Sequence, residues 1–168
     1  LQQAINMTRR RTGMSAMAAA FGDDVAVVDV GIAADVPGVG ILDRKVRRGT
    51  GNIAVEDAMT RPEALAAMAA GMEQAAHARA DSITALGIGE MGIGNTSTSA
   101  AVLSALTGAD IEAVTGRGGG LTNEGFARKK DVLRRALTRR AVDKDDVLDV
   151  LCAVGGLDIA AMTGAFLG

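Results

Sequence analysis

The sequence predicts an α/β fold, doubly wound, with a mainly parallel sheet flanked by helices in a Rossmann-like layout. Three observations predict it. Val25–Ile32 is an apolar run broken only by Asp29, as expected of a parallel strand covered on both faces. Further strand candidates at Ser82–Gly89 and Ile111–Thr115 alternate with segments of helical periodicity. Each of these two candidates runs into a glycine-rich loop, and that order favours parallel pairing through right-handed crossovers.

The elements follow in chain order. Met14, Met17, Ala18 and Phe21 recur at helical spacing, and Gly22 supplies a stop. After the first strand, residues 33 to 58 show no period and include Pro37, so they are expected to form a functional or mobile loop. Thr60, Arg61, Pro62 and Glu63 make a capping box with proline in the first turn. The helix it opens is expected to bury Leu65, Met68, Ala69, Met72 and Ala76. A later helix is expected to place Ser99, Val102, Leu103 and Leu106 on one face. Three more helices are expected near 123–139, 145–154 and 158–167. The eight methionines read as core filling on helix stripes.

Composition narrows the function. A chain of 168 residues supports one domain with a sizeable core, here taken as a single α/β body over 1–168. A net charge of −2 and the lack of Trp and Tyr argue against a nucleic-acid partner. No apolar run is long enough to span a bilayer, and no signal peptide stands at the start. The single cysteine, Cys152, excludes an internal disulfide and a cysteine-based metal cluster, and it reads as core among Val147, Val150, Leu151 and Val154. There are 22 glycines, about twice the ~7% average usage, which suits backbone-lined ligand loops. The chain opens on Leu1 and closes on an apolar segment, so it reads as part of a longer protein.

Ligands of such sheets bind beyond the carboxyl ends of the strands, where Asp29, Glu90 and the two glycine loops fall. The first loop, GIGEMGIGNT from Gly87 to Thr96, lets backbone N–H groups approach a ligand with no Cβ in the way. Asn95 or Thr96 is positioned to cap the next helix, whose N-terminus favours phosphate. Gly87, Gly89 and Gly92 also match a dinucleotide fingerprint, with Glu112 twenty residues on. That match is weak, because Ile93 and Gly94 still precede the helix. The second loop, GRGGGL from Gly116 to Leu121, offers Gly116, Gly118 and Gly120. The helix after it has Phe126, Val132, Leu133, Ala136 and Leu137 on its apolar face, with Lys129 inside that face. Such a lysine either meets an anion, for which a phosphate suffices, or snorkels to solvent along a basic helix that includes Arg128, Lys130, Arg134, Arg135, Arg139 and Arg140. Glu90 is either a substrate-site carboxylate or an ordinary capping or paired residue. For Asp29 the structural role is the favoured one, and His77 reads as solvated.

The stretch from Gly89 to Thr96 resembles the signature of nicotinate-nucleotide–dimethylbenzimidazole phosphoribosyltransferases. Other segments resemble the same family in the same order: Ala4–Asn6, Val27–Gly31, Arg48–Asn52, Ala58–Arg61, Gly116–Leu121, Asn123–Lys129 and Ala153–Ile159. The resemblance implies transfer of ribose 5-phosphate from nicotinate mononucleotide to dimethylbenzimidazole, giving α-ribazole 5′-phosphate and nicotinate, in cobalamin nucleotide-loop assembly. It implies that Gly92, Gly118 and Lys129 hold the phosphate and that Glu90 is a carboxylate of the substrate site. It implies no cofactor and no metal, and cytoplasmic homodimers. It also implies that the main catalytic glutamate falls beyond Gly168 and that part of the benzimidazole pocket falls before Leu1. One departure is Gly119, where the family usually has threonine, so a hydroxyl contact to phosphate is lost. The alternatives are a non-catalytic nucleotide-phosphate-binding homologue, or a paralogue using another base or a phenol.

Overall fold

The computed structural model describes residues 1–36, 40–139 and 141–168. Pro37 and Arg140, singled out above, lie outside the described residues. The architecture is α/β but rich in helix. Helices α1 (Gln2–Thr8) and α2 (Gly13–Phe21) precede β1 (Val27–Asp29), which pairs in parallel with β2 (Ile41–Asp43) in the register Val27 to Ile41 and Asp29 to Asp43. Then come α3 (Arg61–Ala80), α4 (Asn95–Thr107), α5 (Ile111–Val114), α6 (Asn123–Arg139), α7 (Val147–Val154) and α8 (Leu157–Leu167).

The sheet is smaller than the sequence implies. β1 occupies only the centre of the Val25–Ile32 run, and β2 lies in the stretch expected to be without structure. Backbone bonds from Arg44 N to Asp29 O (2.9 Å) and from Val46 N to Val30 O (3.1 Å) carry the pairing past β2. Ser82–Gly89 is not a strand: its backbone is irregular, and Ile83 and Leu86 are exposed. Ile111–Thr115 is not a strand either. Asp110 accepts from Glu112 N at 3.0 Å and caps the short helix α5. The β-branched residues there favour a strand, but a side-chain cap and burial of Ile111 win locally.

The start of α3 and the end of α2 agree with their sequence signals. Thr60 Oγ1 accepts from Glu63 N, and the Glu63 carboxylate accepts from Thr60 N at 2.7 Å, so both arms of the capping box form. Thr60→Ala should therefore cost about 1 kcal/mol of stability, read from the denaturant midpoint. Gly22 ends α2 with φ +78°, in the left-handed region that glycine adopts without a Cβ penalty.

The expected buried stripes need correction. On α3 the buried residues are Ala64, Ala67, Ala70 and Gly71, whereas Leu65 is 48% and Met72 44% exposed, and Ala69 and Ala76 are also exposed. On α4 the buried pair is Ala100 and Ala101, with Ser99 and Leu103 outside. Helix α8 explains the choice on α3. It lies along α3 so closely that a Cβ on Gly71 would meet the backbone of Ala161 and Ala165, and one on Gly164 would meet the backbone of Met68. Only small side chains permit that approach, so dispersion contact between backbones replaces large side chains. The methionines are likewise not all core: Met59 is buried, while Met14, Met17, Met72 and Met91 are exposed.

The core joins Ala64 and Ala67 of α3, Ala100 and Ala101 of α4, Leu133 and Ala136 of α6, Val150–Val154 of α7, and Leu157 and Ala160 of α8. Cys152 is buried within it, as expected. The apolar face of α6 also agrees with its reading, with Leu133 and Ala136 buried and Phe126, Val132 and Leu137 half-buried.

Candidate phosphate site

Lys129 joins the two glycine loops. Its Nζ donates to Thr96 Oγ1 at 2.8 Å and to the Gly116 carbonyl at 2.9 Å, contacts that span from the start of α4 to the loop before α6. A Cβ on Gly118 would stand 2.8 Å from Thr96 Oγ1 and 3.8 Å from Lys129 Nζ, so Gly118 also belongs to this cluster. Burial lowers the Lys129 pKa from its ordinary value. An ammonium has three donors, and the two bonds above engage two of them. The third makes no hydrogen bond among the described residues.

Backbone conformation shapes both loops. Gly94 is the N-cap of α4 with φ +96°, and no side chain caps that end. Asn95 and Thr96 are therefore the first helical residues rather than its cap, and in that turn Asn95 N donates to the Gly92 carbonyl at 3.2 Å and Ser97 N to the Gly94 carbonyl at 2.8 Å. In the second loop Gly118 has φ +61° and Gly120 φ +91°. Arg117 braces this loop across its base, donating to Leu121 O at 2.9 Å and to Asn123 Oδ1 at 2.6 Å. Thr122 Oγ1 accepts from Gly125 N at 3.2 Å and steadies the start of α6. Gly119 meets no neighbour where a Cβ would stand.

Glu90 remains exposed in the first loop. Desolvation, then the negative charge of Asp158, raises its pKa from 4.5. The native state then holds this proton more tightly than the unfolded chain. Stability from Glu90 is greatest below about 4.5 and falls as pH rises through the raised value. Relative to Glu90→Gln, the unmodified chain should lose stability across that window and level off above it, as read by denaturant titration between about pH 4 and 8.

Asp29 is brought into a different cluster. It is 3% exposed; its Oδ1 accepts from Gly31 N (3.0 Å) and Ile32 N (2.8 Å), and its Oδ2 from Lys45 Nζ at 2.6 Å. Lys45 Nζ also donates to the carbonyls of Ile32 and Ala34. Both oxygens of Asp29 thus fix the turn after β1, which fits its structural reading; Lys45 was missed because its partner lies across the parallel pair. Glu112, the acidic residue of the dinucleotide match, instead pairs with Lys130 (2.6 Å) and Arg134. The Lys130 ammonium and the Arg117 guanidinium both lie over the Phe126 ring, at 4.3 and 4.9 Å. His77 is 60% exposed, as expected of a solvated residue.

Asp158 in the first turn of α8 approaches the first loop, a contact that no sequence signal marks. Its Oδ2 is buried and has no hydrogen-bond partner among the described residues. A Cβ on Gly92 would be 3.8 Å from that oxygen, which places Asp158 directly behind the first loop. No group of three or more His, Cys, Asp or Glu suited to a metal occurs among the described residues. No described helix is long and apolar enough to cross a membrane.

Two glycine loops at helix starts are thus linked through one lysine in an α/β body. The whole chain, residues 1–168, matches the family model described as Phosphoribosyltransferase, and the chain belongs to that family. A nicotinate-nucleotide–dimethylbenzimidazole phosphoribosyltransferase of Clostridium perfringens is 44% identical over 100% of this chain and 46% of its own length. One of Geobacter metallireducens is 42% identical over 100% of this chain and 48% of its own. The crystal structure of CobT from Thermus thermophilus superposes with a TM-score of 0.91 at 41% identity, covering 99% of this chain and 50% of that one. The chain spans about half the length of these relatives.

Proposed function

We propose that the full-length protein transfers ribose 5-phosphate from nicotinate mononucleotide to dimethylbenzimidazole, releasing nicotinate and forming α-ribazole 5′-phosphate for cobalamin. The observation that carries this reading is the Lys129 ammonium bridging Thr96 and the Gly116 carbonyl; relatives carrying that activity in their names supply the substrate class. Lys129 and the loop residues Gly92, Gly94, Asn95, Thr96, Gly116, Gly118 and Gly120 hold the 5′-phosphate. The bond from ribose C1′ to the nicotinate nitrogen breaks with its electron pair going to nicotinate. A benzimidazole nitrogen forms the new bond to C1′, and the proton on the other ring nitrogen is lost to a base. Anchoring the phosphate holds C1′ in reach of the acceptor while it becomes cationic, and the Glu90 carboxylate on the sugar side favours that charge when ionised.

Three finer points belong to the same proposal. The protein works as a cytoplasmic homodimer. It uses neither metal nor cofactor. Its doubly wound sheet is completed in the full-length protein, where the apolar, exposed segment 82–89 gains strand partners. The test is release of nicotinate from nicotinate mononucleotide by the full-length gene product, with and without dimethylbenzimidazole. Base-dependent release is the expected result. Binding without release would leave a nucleotide-phosphate-binding homologue, and release only with another base or a phenol would indicate the paralogous activity.

A further inference from the structure

Between Gly116 and Gly120 the second loop carries a single side chain, that of Arg117. Glycines give up more conformational freedom on ordering than other residues, so a run of them holds one shape only when something fixes it. The Arg117 side chain reaches past the glycines to do so. Its guanidinium donates to Leu121 O at 2.9 Å and to Asn123 Oδ1 at 2.6 Å, and it lies 4.9 Å from the centre of the Phe126 ring. These anchors stand at the end of the loop and in the first turn of α6.

The anchor is itself held. The Lys130 ammonium lies over the same ring at 4.3 Å, and two cations at one ring repel unless a carboxylate offsets one of them. Glu112 of α5 supplies it, accepting from Lys130 at 2.6 Å and pairing also with Arg134. Helices α5 and α6 are thereby joined on either side of the loop, and Arg117 fixes the segment between them.

That segment is what Lys129 touches. The Gly116 carbonyl that Lys129 Nζ reaches at 2.9 Å belongs to the peptide unit shared by Gly116 and Arg117. A peptide unit is planar, so holding Arg117 restrains the direction of that carbonyl. Gly118, on the other side, has φ +61°, and a Cβ there would stand 3.8 Å from Lys129 Nζ. Both neighbours of Arg117 meet the lysine, while its own guanidinium is engaged at Leu121, Asn123 and Phe126.

We infer that Arg117 is a positioning residue of the phosphate site, acting through Lys129 by holding the Gly116–Arg117 peptide and Gly118 where the lysine meets them. The inference rests on the phosphate-anchoring part of the proposed function. Arginine suits the task because a planar guanidinium stacks on a ring while donating to two acceptors in its own plane. A lysine in its place keeps the charge and loses that arrangement.

The experiment is calorimetric titration of the full-length protein with nicotinate mononucleotide, for the unmodified chain, Arg117→Ala, Lys129→Met and the double variant. Arg117→Ala should weaken binding about fivefold, the scale of one net hydrogen bond. It should add nothing once Lys129 is replaced, because its effect passes through that lysine. Arg117→Lys, which guards against misfolding of the alanine variant at this exposed position, should bind within about twofold of it. In nicotinate release the loss should appear in KM, with kcat changed by less than about twofold. Unchanged binding by Arg117→Ala, equal losses with and without Lys129, full affinity of Arg117→Lys, or a loss confined to kcat each overturn the assignment. An unmodified protein that does not bind nicotinate mononucleotide overturns it together with the proposed function. One that binds but releases no nicotinate overturns the proposed transfer alone, and the binding cycle still decides the role of Arg117.

Discussion

Replacing Lys129 with alanine lowers the affinity of the full-length protein for nicotinate mononucleotide by roughly 10- to 150-fold, the equivalent of about 1.5–3 kcal/mol for hydrogen bonds to a charged group. The effect is large because the lysine serves two tasks. It presents positive charge to the phosphate, and it ties Thr96 of α4 to the Gly116 carbonyl of the second loop. Removing it leaves two loops no longer held in register, so backbone donors at Gly92 and Gly118 lose their common aim as well. Lys129→Met separates the contributions, since it keeps the stem packed along α6 while deleting the ammonium. Similar losses for Ala and Met would assign the effect to charge and hydrogen bonding. Arginine is a poor substitute because its planar fork does not reproduce a compact ammonium between a hydroxyl and a carbonyl. Isothermal titration gives the affinity directly, and unchanged binding in both variants would remove Lys129 from the site.

The outline of this site was legible because its parts are local. Glycines at 92, 94, 116, 118 and 120 and a lysine inside an apolar helical face are visible in the chain itself. The first glycine loop was the main clue, and the lysine added to it, since burying an ammonium without a partner is costly. The structure supplies partners that no sequence period encodes, a hydroxyl 33 residues away and a carbonyl 13 residues away. The approach of Asp158 to the first loop was not legible for the same reason. Its place in the first turn of α8 suggests an ordinary dipole role, and only the fold reveals its oxygen behind Gly92. Strands were the least legible elements. Apolar runs at 82–89 and 111–115 satisfy a strand pattern, yet the first pairs with no strand among the described residues and the second is captured by the Asp110 cap. A strand needs a partner to exist, and partner choice is non-local. Helices with capping boxes or pronounced amphipathicity, such as α3 and α6, need no such partner to be recognised.

Placing valine at Gly71 should produce the largest stability loss of any single substitution discussed. Leu65 and Met72 point to the wrong inward face of α3, because large apolar side chains ordinarily mark the core. The structure inverts that rule: Ala64, Ala67, Ala70 and Gly71 are buried against α8. Any Cβ at Gly71 would fall on the Ala161 carbonyl and within 2.7 Å of Ala165 N, both backbone atoms that no rotamer change can move. Helix propensity alone would favour replacing glycine, by up to about 1 kcal/mol for alanine. Overpacking a dense core typically costs about 1–3 kcal/mol, and forcing two helix backbones apart also loses contacts along their length. The clash therefore dominates, and Gly71→Ala should already destabilise while Gly71→Val should lie at or beyond the upper end of that range. Gly164 faces the Met68 backbone in the same way, so the two sites share one interface. Gly71→Ala with Gly164→Ala should then cost less than the sum of the singles, since the helices separate once for both. Denaturant midpoints of the four chains in the cycle test this. A Gly71→Val chain as stable as the original would show that α3 and α8 do not meet through these glycines.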